Sequence, residues 1–256
     1  MLKFLSYFIL YFIFSLLSID AYTKPSYIEQ TTWNKVKPHL LPKKHPMKAR
    51  LDAIFKSSRV TSNISTLKNA GFNSPKPRSI SKAVVSKHPN LKGYLVKLYL
   101  DETPDIIDVD KWLLRIKGAQ IAQDLINQYG YQHYFKVPKK WIYPLPENPP
   151  SIQNYERKHF ILLVEDLKPL KSAENREHYF NSMSYELLKG IYQIIEKGGL
   201  DDSVVIANLP FCKDGKLAFL DTEVFNRWPI RYHLLDRHLS KKMKFKLNSL
   251  IKKENL

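Results

Sequence analysis

The sequence is poor in cysteine, in glycine and in acidic residues. Its single cysteine, Cys212, excludes an intrachain disulfide and any zinc cluster built from several cysteines. Only 8 Gly occur among 256 residues, which excludes a glycine-rich linker protein, while 15 Tyr and 13 Phe argue for an aromatic-rich interior. With 44% apolar and 25% charged residues, the chain is long enough to bury one large core or two small ones.

The shortage of acidic residues leaves a strongly positive chain. There are 41 Lys and Arg against 24 Asp and Glu, a formal net charge of +17, and most of these cations are Lys. Sequence-specific recognition of nucleic acids depends on Arg for bidentate hydrogen bonds to guanine. The composition therefore argues against nucleic acid as a partner and favours diffuse attraction to phosphates, anionic lipids or acidic proteins.

An uncharged run occupies positions 4–19, between Lys3 and Asp20. It is shorter than the roughly 20 apolar residues that a membrane-spanning helix usually needs. We interpret residues 1–21 as a signal peptide that directs export of the protein. Two alternatives stay open, a retained membrane anchor formed by residues 4–19 and a buried helix, and the lysines that follow this segment argue against translocation.

Regular patterns begin near residue 81. Positions 83–85 and 94–100 predict two strands joined by a turn at 88–93, which together form a hairpin. Asp110 is a candidate N-cap for a helix that continues to about Tyr129. Further strands are predicted at 135–143 and 159–167, with a proline-rich loop at 148–157 between them.

The second half of the chain predicts helices around a short hairpin. A long helix is expected at about 177–198, ending at a glycine pair. Apolar segments at 204–211 and 217–220 flank the turn formed by Asp214 and Gly215, which predicts a hairpin with Asp221 at its exit. An amphipathic helix with a basic, solvated face is expected at about 234–253.

The order of these elements, together with three motifs, resembles the protein-kinase-like fold. The motifs are Lys97 in a strand, Glu165 to Leu167 at the end of the apolar strand, and Asn208 followed thirteen residues later by Asp221. The resemblance implies an α+β, two-lobed fold with a small antiparallel sheet lobe and a compact, mainly helical C-terminal lobe. The implied divisions are the signal peptide at 1–21, an N-terminal extension at 22–77, the N-lobe and hinge at 78–167, and a reduced C-lobe at 168–256.

The resemblance also implies a nucleotide site that holds ATP and Mg²⁺. In kinases, residues in these places clamp phosphates (here Lys97), hold adenine at the hinge (here Glu165 and Leu167) and bind the metal (here Asn208 and Asp221). Mg²⁺ prefers oxygen ligands, and a tight hairpin brings an amide and a carboxylate to the same end of a sheet. The nucleotide would then be the cofactor and a hydroxyl acceptor the substrate.

Three parts of the family pattern are missing. The turn at 88–93 contains a single glycine, the helix after Lys97 has no Glu, and the position five residues before Asn208 is Ser203 in place of an aspartate. We therefore expect Asp124 to pair with Lys97 and Asp202 to orient the acceptor hydroxyl.

These departures leave three functional hypotheses. The first is an exported, divergent kinase-like protein that transfers a phosphoryl group from ATP to an unknown acceptor. The second is an inactive, pseudokinase-like binding module that docks an acidic partner or a membrane surface through its basic face. The third is an exported basic protein with an unrelated α+β fold, in which no cleft would contain both Lys97 and Asp221.

Overall fold

The computed structural model describes residues 22–78, 81–147 and 155–254. The signal-peptide interpretation of 1–21 and most of the proline-rich loop at 148–157 lie outside these residues. The predicted α+β class is confirmed, since a small antiparallel sheet of four strands is combined with several helices. Within the described ranges, no helix combines the length and the apolar character needed to cross a membrane.

In the described residues, six strands form two sheets. They are β1 (Val84–Ser86), β2 (Tyr94–Leu98), β3 (Phe135–Lys136), β4 (Lys140–Pro144), β5 (Phe160–Glu165) and β6 (Leu217–Ala218). The main sheet has the order β1-β2-β5-β4 and all its pairs are antiparallel, while β3 and β6 form a separate parallel pair. The predicted hairpin at 83–100 is confirmed, and its register places Lys97 opposite Val85 on one side and Leu162 on the other.

The single strand predicted at 135–143 is divided in the structure. Pro138 separates β3 from β4, and only β4 joins the main sheet. Proline has no N–H to donate and fixes its own φ, so a ladder does not continue through it. As a result β3 pairs with β6 instead, which links the main sheet to the later part of the chain.

Eight α-helices are described. They are α1 (Gln30–Val36), α2 (Met47–Phe55), α3 (Ile64–Asn69), α4 (Asp108–Gln128), α5 (Ser172–Asn181), α6 (Tyr185–Gly198), α7 (His233–Asp236) and α8 (Lys241–Glu254). Helix α4 begins at Asp108, so Asp110 lies in its first turn and is not the N-cap. The Asp108 carboxylate accepts hydrogen bonds from the amides of His159 and Phe160, which fixes the start of the helix to the start of β5.

Both long helices predicted in the second half are interrupted. The helix predicted at 177–198 is divided into α5 and α6, and the one predicted at 234–253 into α7 and α8. A serine begins the second helix in each case: Ser184 Oγ accepts from the Leu187 amide at 3.1 Å, and Ser240 Oγ accepts from the Met243 amide at 3.4 Å. A serine side chain satisfies the free amides of a first turn, so it favours a new helix start over continuation.

The predicted hairpin around Asp214 and Gly215 is correct at its turn and in part of its second arm, where β6 covers two of the predicted positions 217–220. Residues Asp201–Val204 form a 3₁₀ helix, and Phe211 and Leu217 form a single antiparallel bridge. The amides of residues 208 and 209 both donate to the carbonyl of residue 205, and position 210 is a proline. The first arm therefore has few amides left for a ladder, and the strand predicted at 204–211 is wrong.

Three apolar clusters hold the described chain together. One face of the main sheet packs against α2 and α3, and the other against α1 and α4. The third cluster surrounds α6 and includes residues of α4, β6 and α8. Residues 22–77, predicted as an N-terminal extension, thus supply core side chains to both faces of the sheet, and each fully buried large apolar side chain stabilises the fold by about 1.5–3 kcal/mol.

Candidate functional site

A cavity of about 470 Å³ lies between the main sheet and the segment 207–221. Its apolar lining includes Val85, Leu95, Val164 and Leu220. Five of the seven residues that the sequence predicted for the site also line it, namely Lys97, Glu165, Leu167, Asn208 and Asp221. Side chains that are more than a hundred positions apart in the chain therefore meet at one cavity.

Lys97 is held inside the protein by β2 and is only 5% exposed. Its Nζ lies 3.9 Å from Asp221 Oδ1 and 3.5 Å from the Leu220 carbonyl oxygen. Burial lowers the pKa of Lys97 to about 8, although the charge of Asp221 opposes the shift. Strand lysines usually face solvent, so this burial beside a carboxylate marks Lys97 as a residue of the site.

Asp221 lies between Lys97 and Arg115, a residue of α4. Arg115 is 2% exposed at its side chain, and its guanidinium is 3.1 Å from Asp221 Oδ1 and 2.6 Å from Glu223 Oε2. Burial alone would raise the pKa of Asp221, but the charges of Lys97 and Arg115 outweigh it and the pKa lies below its ordinary value. Asp221 is therefore ionised at neutral pH. Its Oδ1 atom is buried and, within the described residues, makes no hydrogen bond.

Helix α4 approaches the chain after Asp221 very closely at Gly118. A Cβ atom on Gly118 would lie 1.8 Å from the Thr222 carbonyl oxygen. Thr222 Oγ1 accepts from Lys140 Nζ at 3.0 Å and donates to the Arg115 carbonyl at 3.0 Å. Burial, together with the charge of Lys97, lowers the pKa of Lys140 well below its ordinary value. This layer of contacts fixes Arg115 next to Asp221.

Asn208 lines the cavity together with Asp221, whereas Asp202 does not line it but lies within electrostatic range of Asp221. The Asn208 side-chain amide donates to the Asp202 carbonyl at 3.0 Å, and the amide just before Asp221 donates to the Asn208 carbonyl at 2.8 Å. Burial, followed by the negative charge of Asp221, raises the pKa of Asp202. The neighbouring Asp201 is buried and forms an ion pair of 2.7 Å with Arg231, so its carboxylate is occupied in the fold.

The segment 165–167 follows β5 along the cavity. The Glu165 amide donates to the Lys139 carbonyl at 3.0 Å, and the Lys139 amide donates to Glu165 Oε2 at 3.3 Å. The Asp166 carboxylate pairs with Lys87 at 2.7 Å. The Leu167 amide, in contrast, donates no hydrogen bond to any part of the chain that the structure describes. Among these three residues, Leu167 thus offers a main-chain donor to a ligand.

Asp124 is not brought to the cavity. It is exposed on α4 and accepts a hydrogen bond from Gln120 Nε2 at 2.7 Å, so the expected pairing with Lys97 is not formed. The α4 residue at the site is Arg115, which our sequence prediction missed. A signal was present, because Arg115 occupies the same helical stripe as the buried residues Trp112, Ala119 and Ala122.

Comparisons of the chain with family models, curated proteins and solved structures found no match. The chemistry of the site is therefore argued from its own geometry. Across the described ranges, no three His, Cys, Asp or Glu side chains come together as a metal site. Asn208 and Asp221 could supply two oxygen ligands to Mg²⁺, which usually keeps several waters and binds one or two protein carboxylates together with substrate phosphates. The buried Asp221 Oδ1 lacks a hydrogen bond and fits that role, provided that its ion pair with Arg115 at 3.1 Å yields to the metal.

Proposed function

We propose that the protein is a divergent member of the protein-kinase-like class that binds ATP with Mg²⁺ in this cavity and transfers a phosphoryl group to a hydroxyl acceptor. One observation carries the proposal: the residues assigned separately to the phosphates, the hinge and the metal line a single cavity. The position of that cavity, between the sheet and the segment before α7, is consistent with a two-lobed arrangement in which 78–167 and 168–254 face each other.

The binding roles follow from the contacts. Lys97 supplies positive charge to the phosphates, and the apolar wall from Val85 and Leu220 can cover the faces of the base. The Leu167 amide would donate a hydrogen bond to the edge of the base. Asn208 and Asp221 would hold Mg²⁺, which when bound neutralises charge on the phosphate oxygens.

Asp202 is the residue that would handle the acceptor. Its raised pKa makes it a better proton acceptor than an ordinary aspartate, and general bases work best when their pKa approaches the operating pH. The acceptor oxygen forms a bond to the terminal phosphorus of ATP as the bond to ADP breaks, and the hydroxyl proton passes to the Asp202 carboxylate. Positioning and charge compensation supply most of the rate in such transfers.

A thermal-unfolding titration of the purified chain with ATP, with and without Mg²⁺, tests the binding site. A ligand at 100 times its Kd stabilises the folded state by about 2.7 kcal/mol, which for a chain of this size is a shift of roughly 5–10 °C. We expect the Mg²⁺-dependent part of the shift to be lost in Asp221→Asn. Asp214→Asn, which alters an exposed carboxylate paired with Lys136, is the matched control and should behave as the unaltered chain.

Catalysis is tested separately from binding. Asp202→Asn is expected to keep the ATP-dependent stabilisation but to lose ATP turnover, because the variant retains the site and lacks the proton acceptor. Absence of any shift at millimolar ATP would contradict the binding proposal. Binding without turnover in the unaltered chain would support an inactive, pseudokinase-like protein.

The second function, docking to an acidic partner or a membrane surface, is favoured by α8. From 241 to 252 this helix contains five lysines and no acidic residue, and Phe245 is 71% exposed in their midst. Basic amphipathic helices with an aromatic side chain bind anionic surfaces. Co-sedimentation with vesicles tests this function. Binding to vesicles rich in phosphatidylserine that is lost in Phe245→Ser, and lost when phosphatidylcholine vesicles are used, would support membrane docking. Binding to neither kind of vesicle would leave an acidic protein as the partner.

A further inference from the structure

Arg78, which precedes β1 in the chain, is one of the residues that line the cavity. Pro77 and Val84 face each other across an antiparallel bridge, which extends the sheet beyond β1 by one short segment. Next to this bridge, the Arg78 amide donates to the Ala83 carbonyl at 3.0 Å.

The Arg78 side chain is available to a ligand. It is exposed, and among the described residues it forms no hydrogen bond or ion pair. Burial has the largest influence on the pKa values of Lys97 and Asp221. The positive charge of Arg78 makes a smaller contribution that lowers both pKa values, so its guanidinium lies within electrostatic range of both side chains. Lys87, another cation of the cavity, is already paired with Asp166 at 2.7 Å.

The charge of the cavity favours a polyanion. Its cations outnumber its carboxylates: the former are Arg78, Lys87, Lys97, Lys168 and Lys213, and the latter are Glu165, Asp166 and Asp221. The turn at 88–93 contains a single glycine, so binding of a phosphate by a run of main-chain amides is disfavoured there. Phosphate binding here must rely on side chains.

We propose that Arg78 binds a phosphate group of the nucleotide from the side of the cavity opposite the base, together with Lys97. The inference rests on the proposed nucleotide site and adds a residue that replaces the missing glycine-rich loop. A planar guanidinium donates two parallel hydrogen bonds to phosphate oxygens, which an ammonium group does not reproduce. Arg78 is thus a specificity residue for phosphorylated ligands over the bare nucleoside.

Isothermal titration of the full chain with MgATP and with adenosine tests the inference. Arg78→Ala is expected to weaken MgATP binding by about 10- to 100-fold, the usual effect of one charge-assisted hydrogen-bonding group, and to leave adenosine binding unchanged. Arg78→Lys should recover part of the loss. Arg176→Ala is the matched control, because Arg176 is exposed on α5 and does not line the cavity.

The remaining outcomes distinguish the role of Arg78 from the proposed nucleotide site. Unchanged MgATP affinity in Arg78→Ala would overturn the role of Arg78 while the nucleotide site stands. An equal loss of affinity for MgATP and adenosine would also overturn it, since that result indicates a change in the shape of the cavity. Failure of the unaltered chain to bind MgATP would overturn the proposed function itself.

Discussion

Substituting Gly118 by alanine tests the contact that fixes the site. In the middle of an exposed helix, Gly→Ala normally stabilises a protein by about 1 kcal/mol, because alanine has the higher helix propensity. Gly118 is different, since its added methyl group would lie 1.8 Å from the Thr222 carbonyl oxygen, where ordinary contacts begin near 3.4 Å. We therefore expect Gly118→Ala to destabilise the protein.

The expected loss of stability follows from the contacts around Gly118. Either α4 or the chain at Thr222 must move by more than an ångström, and overpacking of this kind typically costs 1–3 kcal/mol. The movement would also disturb the two hydrogen bonds of Thr222 Oγ1, with Lys140 and with the Arg115 carbonyl, each contributing about 1 kcal/mol. After the gain in helix propensity is subtracted, a net loss of about 2 kcal/mol or more is expected.

Urea unfolding followed by circular dichroism measures this loss. Gln120, two positions further along α4, is exposed and provides the control: the pair Gln120→Ala and Gln120→Gly reports the ordinary difference between the two residues in this helix. A Gly118→Ala variant that is stabilised by the amount seen at Gln120 would refute the close approach of α4 to Thr222. It would equally remove the argument that α4 positions Arg115 against Asp221.

Two further predictions concern buried charges. The pKa of Lys97 falls from 10.5 in the unfolded chain to about 8 in the folded protein, so the free energy of unfolding rises with pH between these two values, and at pH 7 the charged lysine costs at most about 3 kcal/mol. In urea unfolding, Lys97→Met should therefore be more stable than the unaltered protein at pH 7, and this advantage should shrink at pH 9.5. Lower stability of Lys97→Met at pH 7 would contradict the prediction. Arg59 makes a bidentate ion pair with the fully buried Asp101, so Arg59→Ala should lower the free energy of unfolding by about 3–5 kcal/mol. Lys136→Ala removes one partner of the more exposed pair with Asp214 and should lower it by at most about 1 kcal/mol. Equal midpoints for these two variants in thermal unfolding would contradict the expected contribution of the buried Arg59–Asp101 ion pair.

Local sequence patterns were sufficient where a pattern of period two or 3.6 coincides with one uninterrupted element. The hairpin at 83–100, the strand of apolar residues at 160–165 and the body of α4 were predicted in this way. Interruptions were not, because the apolar spacing continues across Ser184 and Ser240 while the serine side chains start new helices. Pro138 is a clearer signal, and its lack of an amide explains why β3 and β4 separate.

For the site, the motifs predicted which residues would meet but not how they are held. Lys97, Asn208 and Asp221 are recognisable because each lies at the end of, or within, a patterned strand or turn. Arg115 and Arg78 depend on the folded arrangement of the chain: one is buried by the approach of α4 at Gly118, and the other is an exposed residue that lines the cavity. A charged residue on an apolar helical stripe is the sequence signal worth testing in such cases.

The most direct test of the central claim is a crystal structure of the protein with Mg²⁺ and a non-hydrolysable ATP analogue. We predict that the nucleotide occupies the cavity with its phosphates beside Lys97 and with the metal about 2.0–2.1 Å from oxygen atoms of Asn208 and Asp221. Arg115 would then remain paired with Glu223. A nucleotide bound elsewhere, or an empty cavity at saturating concentrations of the analogue, would contradict the account.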